Sequence, residues 1–389
     1  MTVLERELTK SLPKDSIIHH WLQYVSIGET PRGFQIASGL SIIGALLWRS
    51  AGFNQGNWNV YLHMPVMFVG PSGVGKDTII NYSSNMLASV EEPEVAVQRI
   101  IQGKTMEFVN RCLAALGEPA AAVIKAPELT AFLGGKDYQK SMVQELTDLL
   151  SSNEVMNVSV ASEQRVIRQP TVTMWAGTTA EWLQKAMPEG SMDGGFIPRF
   201  VVAYADRPAR MVSLPYYSTD IKERARSKSG KLQFQEGLRA IMNKWPRDRF
   251  EYITPCLEAQ GWYTNWYENR FSRFSPRSEA YANRARDAAL KVSCLCAISC
   301  MRSIILPEDV QFAIKFMDYV ADGIDKAVTV VPQEYKIAKE VLRVLPGTTK
   351  DVVVKLQEVY KKEDIMRAIS GLYETHQIAK MGDKWVVRK

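Results

Sequence analysis

Met67–Ile80 reads MFVGPSGVGKDTII: an apolar run, a turn holding three glycines, and a second apolar run. From Gly70 to Lys76 it satisfies the phosphate-loop pattern G-x-x-x-x-G-K, but the next position, normally Ser or Thr, holds Asp77. The flanking sequence supplies the context such a loop needs. NVYLHMPVMFVG reads as a strand buried on both faces, and KDTIINYSSNMLASV as a helix. Backbone N–H groups of the turn and the positive helix end can then hold phosphates, and Lys76 can reach the β and γ positions. Gly70 and Gly75 supply conformations that side chains forbid. Gly70, Ser72, Gly73, Gly75, Lys76, Asp77 and Thr78 are therefore candidate nucleotide contacts, with ATP and Mg²⁺ as the implied ligands. The competing reading is a chance glycine turn ahead of a helix.

Outward from the loop, strand-like and helix-like runs alternate. VAVQRII, AAAVIKAPEL, TVTMWAGTT and RFVVAYADRP read as strands, and TMEFVNRCLAALGE and YQKSMVQELTDLLSS as helices. VMNVSVASEQRVIRQP reads as a hairpin with ASEQ at its tip. The expected class is α/β: a parallel five-stranded P-loop sheet with helices on both faces. Upstream, residues 1–50 form a helical segment that includes the all-round apolar, hence buried, helix FQIASGLSIIGALLWRS. The ATPase core is expected over 51–210 and a helical lid over 211–330. STDIKERARSKSGK (218–231) is expected to be an exposed or mobile linker. Residues 333–389 read as three short helices and a two-stranded wing turning at Gly382-Asp383, the winged-helix plan. They carry 12 basic and 8 acidic side chains, net +4.

Bulk composition narrows the class. The chain has 389 residues, 46% hydrophobic and 23% charged, with a formal charge of +6, a mild lean towards anionic partners. Cys294, Cys296 and Cys300 sit in the apolar run LKVSCLCAISCM, where positions two apart point to different helix faces, so a shared metal is not expected. The four histidines show no metal spacing. IASGLSIIGALLW, the longest apolar stretch, is too short to span a bilayer, and the N-terminus lacks a signal-peptide core. A soluble, cytoplasmic protein is expected.

Chemistry can be assigned residue by residue. Many ATPases of this kind place an acidic pair at the end of a later strand, near the Mg²⁺ and the loop hydroxyl. Here that strand end carries Glu128 alone, with Pro127 where the other acid would be. Glu128 is read as polarising the attacking water and as a candidate metal ligand, and the metal carboxylate as relocated to Asp77, with Thr78 a competing ligand. Asp77 equally suits a helix N-terminus, and Glu128 can cap the next turn. Thr178 and Thr179 can orient water or touch the γ-phosphate; an N-cap for AEWLQKAM is the rival role. Arg199, after flexible glycines, can reach a neighbour's nucleotide and offset transition-state charge. Arg284 or Arg286 can contact the γ-phosphate from a lid helix.

In order, GPSGVGKDT, AAVIKAPEL, TMWAGTT, IPRF, the run RARDAALKVSCLCAI to ILPEDVQFAI, and a terminal winged helix resemble the AAA+ ATPases of the MCM-like replicative helicase group. Within that group the chain is most similar to the primase-helicase type ATPases of phages and mobile elements. The likeness spans about residues 30–389. It implies a ring, usually a hexamer, with ATP between subunits. It implies that Arg199 is the trans arginine and that Arg284 lies near sensor 2. It also implies that SVASEQRVIR is a pore-facing DNA hairpin, in which Arg165 and Arg168 are the cations. The chain departs from the group in lacking the acidic pair, a sensor asparagine and a lysine at the hairpin tip.

DNA is the expected partner. Lys361, Lys362 and Arg367 fall on or near the third helix of the winged module, the usual groove reader. Segment 262–277 interleaves aromatic and arginine residues that can stack on bases, although helix packing explains it as well. The leading expectation is an ATP-driven, ring-forming DNA motor, a replicative helicase of a phage or genetic island. The alternative is a loader that recruits other replication proteins, or a DNA-binding ATPase switch.

Overall fold

The computed structural model describes residues 1–389 apart from 103–104, 134–135, 152–153, 161–162, 187–194, 215–216, 218–219, 276–277, 329–332, 358, 376 and 388–389. The chain divides into two compact units, Met1–Val328 and Thr329–Lys389.

The first unit opens with α1 (Val3–Ser11), α2 (Ile18–Val25), α3 (Arg32–Leu47) and the hairpin β1 (Ala51–Asn54) and β2 (Asn59–Tyr61). The α/β core follows as β3 (Val66–Val69), α4 (Lys76–Ala88), α5 (Pro93–Arg99), β4 (Ile100–Ile101), α6 (Met106–Ala115), β5 (Ala121–Ala126), α7 (Leu129–Leu133) and α8 (Lys136–Leu149). It continues through the hairpin β6 (Val155–Val160) and β7 (Glu163–Arg168), then β8 (Thr171–Thr178), α9 (Ala180–Ala186) and β9 (Val201–Tyr204). The unit closes with α10 (Ile221–Lys244), β10 (Glu251–Tyr252), β11 (Thr254–Pro255), α11 (Leu257–Asn269), α12 (Glu279–Ser299), β12 (Ile304–Ile305) and α13 (Pro307–Val328).

The core is a five-stranded sheet in the order β4-β5-β8-β3-β9, with every pairing parallel. This is an α/β architecture consistent with a P-loop fold. Its interior strand β3, between β8 and β9, is Val-Met-Phe-Val, all four at 0% exposure. Such a strand has no solvent face, which is why the sequence shows no alternation there. Helix α3 is buried from Gly33 to Leu47 and crosses the sheet, with Phe34 edge-on to Phe68 at 5.2 Å. Its polar Ser41 is satisfied: the Trp175 indole donates to it at 2.8 Å, and it donates to the Met64 carbonyl at 2.6 Å.

Three expectations need correction. NVYLHMPVMFVG is not one strand: β2 joins the small β10-β1-β2 sheet and β3 the large one. Pro65, which cannot donate to a ladder, stands just before β3. VAVQRII is mostly helix α5, with only Ile100–Ile101 paired in the sheet; Pro93 in the first turn favours the helix start. Residues 221–231 are not an irregular linker but the first turns of the 24-residue helix α10, capped by the Asp220 carboxylate accepting from Lys222 N–H. Its buried stripe is Ser227, Gly230, Phe234, Leu238 and Ile241. The first two positions are small rather than apolar, so composition hid the stripe.

The second unit contains α14 (Gln333–Val344), β13 (Gly347–Thr348), α15 (Thr349–Leu356), α16 (Lys362–Glu374), β14 (Ile378–Met381) and β15 (Lys384–Val387). The strands form one sheet in the order β13-β15-β14, so the expected two-stranded hairpin carries a third, short strand. Gly382 takes φ +63° at the hairpin turn. Thr348 and Asp351 make a reciprocal capping box at the start of α15. Ile337, Val341, Val352, Ile365, Ile369 and Ile378 form this unit's own core. Among the described residues, no helix is long and apolar enough to cross a membrane.

Candidate nucleotide-binding site

The carboxyl ends of β3, β5 and β8 converge on a cleft of about 420 Å³. Its walls come from the loop Ser72–Thr78, from Pro127, Glu128 and Thr130 after β5, and from Gly177, Thr178, Thr179 and Trp182 at the end of β8. In open parallel sheets this crevice is where ligands bind, and the volume suits a small molecule.

The backbone of the loop is built around its glycines. Gly73 and Gly75 take φ +79° and +93°. A Cβ on Gly70 would lie 2.3 Å from the Ala205 carbonyl oxygen, so the chain leaves β3 through a gap that admits no side chain. Gly75 is also the N-cap of α4, and it offers no side-chain cap. The first-turn N–H groups of this 13-residue helix therefore face the cleft without an intrachain cap, the arrangement that binds anions. The ammonium of Lys76 is held by the Gly70 and Pro71 carbonyls at 2.8 and 2.7 Å. Burial lowers its pKa from the ordinary value, and neighbouring Asp77 opposes the shift. A part-desolvated cation at an uncapped helix start suits a polyphosphate.

On the facing wall, the Thr178 hydroxyl is buried with no hydrogen-bond partner among the described residues, while its residue lines the cleft. Thr179 is different: its hydroxyl accepts from Trp182 N–H at 3.2 Å, so it caps α9, the rival role considered for it. Gly177 is fixed by a close approach, since a Cβ there would lie 2.2 Å from the Pro127 carbonyl oxygen. That contact locks the β5 end, and with it Glu128, against β8. Glu128 and Asp77 are exposed within the same cleft, as is Thr78. No group of three His, Cys, Asp or Glu that could hold a metal occurs among the described residues. The donors present are two carboxylates and a hydroxyl. They fit Mg²⁺, which takes few protein ligands and completes its shell from phosphate and water oxygens.

Arg199 and Arg284 are not in this cleft. They line a second cavity of about 390 Å³ with Met64, Pro65, Phe200 and Val201, the residues at the amino ends of β3 and β9. Four residues of β3, about 13 Å at ~3.3 Å per residue, separate the two openings. Arg199 donates to the Ser151 hydroxyl at 2.9 and 2.8 Å and to the Gly195 carbonyl at 2.6 Å. Burial and then the Arg284 charge lower its pKa to about 10, against the pull of Asp148. Lys291, in the same cavity, is lowered to about 8 by burial, with Asp287 raising it and Arg284 lowering it. Its ammonium donates to the His63 carbonyl at 2.9 Å. Arg286 is paired with Asp287 at 3.2 Å and lies over the Trp58 ring. Lys291 escaped the sequence reading because nothing in AALKVSC marks a cation turned towards a cavity; only the topology brings it beside Arg284.

Other candidates fall elsewhere. Arg165 and Arg168 are on β7, paired with Val158 and Val155 of β6; the tip at 161–162 lies outside the described residues. Lys361, Lys362 and Arg367 are exposed at the start and middle of α16. The aromatic segment is mostly packing. Arg270 is buried against the Tyr267 and Phe271 rings, and Arg273 makes a two-pronged bond to Asp318 at 2.6 and 2.8 Å. Arg277 lies outside the described residues.

No protein-family model matches the chain. No curated protein matches it. Among solved structures it is similar to a full-length MCM homologue from Methanopyrus kandleri, with a TM-score of 0.45 and 11% identity. The match covers 83% of this chain and 62% of that one, so this chain spans less than two thirds of the length of that homologue.

Proposed function

We propose that the protein is a Mg²⁺-dependent ATPase that drives a ring-forming DNA motor, a replicative helicase of a phage or mobile element. The observation that carries the reading is the cleft: an uncapped helix start, Lys76, Glu128 and an unpartnered Thr178 hydroxyl meet at one sheet end. Loop N–H groups hold the phosphates, and Lys76 leaves the Gly70 and Pro71 carbonyls for the β and γ oxygens. Asp77 and Thr78 would hold Mg²⁺, which would supply neutralisation of the developing phosphate charge. Glu128 takes the proton side of the attacking water, and Thr178 donates to the γ-phosphate.

Arg199 and Arg284 complete the site from a second copy. Both open on the far end of the sheet, so within one chain neither serves the cleft that Lys76 lines. A head-to-tail arrangement brings one copy's arginine cavity to the next copy's phosphate loop, and such contacts close into rings. Arg199 and Lys291, both lowered in basicity by burial and by the Arg284 charge, gain most when an anion arrives, which supports a triphosphate at that seam. The hexamer, the winged-helix identity of the second unit, the lid role of α12 and α13, and DNA contacts at Arg165, Arg168, Lys361, Lys362 and Arg367 belong to this proposal.

The second reading is an ATPase that loads or switches without unwinding. It is favoured by the few cations on the β6–β7 hairpin, Arg165 and Arg168. Strand displacement from a forked duplex decides between the two. ATP- and Mg²⁺-dependent separation is the expected result; DNA-stimulated hydrolysis without separation would contradict the helicase reading.

A further inference from the structure

Helix α10 carries Lys222, Arg224, Arg226, Lys228, Lys231, Arg239 and Lys244 against Glu223 and Glu236, a net +5 on 24 residues. Its buried stripe packs on α2, so closely that a Cβ on Gly230 would lie 2.7 Å from the His20 carbonyl oxygen. Outside that stripe, Lys222, Arg226, Lys228, Lys231 and Arg239 are all exposed. None of these five has a carboxylate within ion-pair distance among the described residues. Exposed cations elsewhere do, including Lys10 with Glu7, Arg273 with Asp318 and Lys326 with Asp322.

The spacing accentuates this. Lys222 and Arg226 are four apart, as are Arg224 and Lys228, and Lys228 and Lys231 are three apart. These are like-charge neighbours at the positions where a stable surface helix places opposite charges. Lys231 lies over the Tyr24 ring, and Arg239 donates to the Ser89 carbonyl at the end of α4. The helix is thus held by its apolar stripe, while its Glu223 pairs with Arg210 and the five exposed cations have no carboxylate partner among the described residues. A stiff row of cations at helical spacing, with Ser229 and Gln233 between them, fits a polyanion with regularly spaced charges.

From this placement we infer that the outer face of α10 is a nucleic-acid backbone site, distinct from the β6–β7 hairpin and from the second unit. The inference does not rest on the cleft binding ATP; the charge and the packing stand whatever the cleft holds. The face reads no bases, because it offers a convex row of long cations rather than a groove with fixed amides. Binding there is therefore sequence-independent and strongly dependent on salt.

The test compares the full chain carrying K222E/R226E/K228E with a charge-matched control, K10E/K14E/K315E, in which three exposed cations outside α10 are reversed. Anisotropy of a labelled oligonucleotide is followed from low to physiological salt, with thermal melting as the check on folding. The milder K222Q/R226Q/K228Q variant stands in should the reversal unfold the helix. The α10 variant is expected to bind at least tenfold more weakly at low salt. The slope of log affinity against log salt should be reduced by about two, from ~0.7 per single-strand phosphate contact. The control should keep the parental slope. Equal losses in both variants, or unchanged binding in both, would overturn the assignment. So would a loss of binding to anionic lipid vesicles with oligonucleotide binding intact.

Discussion

At the scale of single residues, Asp77 is the departure with the most consequence. It stands at the second position of α4, exposed in the cleft and across from Glu128. If Asp77 holds the metal, Asp77→Ala should raise the Mg²⁺ concentration needed for hydrolysis by about tenfold or more, the usual cost of a lost metal contact. Glu128→Gln should leave ATP binding intact and lower turnover by about a hundredfold, as expected for loss of a general base. Steady-state hydrolysis over a Mg²⁺ series checks both, and unchanged Mg²⁺ dependence in Asp77→Ala would return that residue to helix capping.

Lys291 gives a pH signature. Its folded value of about 8 lies below the ordinary 10.5. Between the two, the unfolded chain holds the proton and the folded chain does not, so unfolding takes up a proton and stability rises with pH. Below pH 8 the lysine is charged in both states, and its buried charge costs stability. Relative to Lys291→Met, the parent should gain about 2 kcal/mol from pH 8 to 10, at ~1.4 kcal/mol per fully displaced pH unit. Paired denaturant melts at the two pH values measure the difference, and a constant gap would contradict it.

At the scale of elements, what could be read in advance followed from how each segment is buried. The all-round apolar pattern of α3 and β3 is visible because both are enclosed on every side. Helix α10 was not visible, because its contact with α2 is made by absence of side chain at Gly230 and by Ser227, whose hydroxyl donates to the Tyr24 carbonyl at 2.8 Å. Small residues permit close approach without any hydrophobic signal. The position is correspondingly sensitive: Gly230→Val forces a branched side chain against the His20 carbonyl, the Gln23 Cβ and the Tyr24 amide. A destabilisation of about 1–3 kcal/mol is expected from such overpacking, read from the urea midpoint. A change below about 0.5 kcal/mol, within ordinary surface noise, would mean that α2 and α10 are not packed as described. The glycine turn between β3 and α4 was legible because its signal is local: three glycines and a lysine between a strand and a helix. Arg284 was legible as a cation on a helix but not in its location, because which end of a sheet a helix meets depends on topology, and a sequence of short motifs does not encode it.

At the scale of the molecule, the two cavities at opposite ends of one sheet make the account depend on assembly. One chain holds the glycine loop and Glu128 at one end and the arginine pair at the other. Glu128→Gln and Arg199→Ala should therefore each hydrolyse ATP only weakly alone. Mixed together they should recover part of the hydrolysis, at seams where an intact loop faces an intact arginine. Failure of the mixture to exceed either component would place Arg199 outside the reaction.

The most direct measurement is calorimetric titration of the full chain with a non-hydrolysable ATP analogue, with and without Mg²⁺, alongside Lys76→Ala. The account predicts saturable binding at about one nucleotide per chain, tightened by Mg²⁺ and weakened at least tenfold in the variant. No heat of binding in the parent, or identical binding in Lys76→Ala, would contradict it.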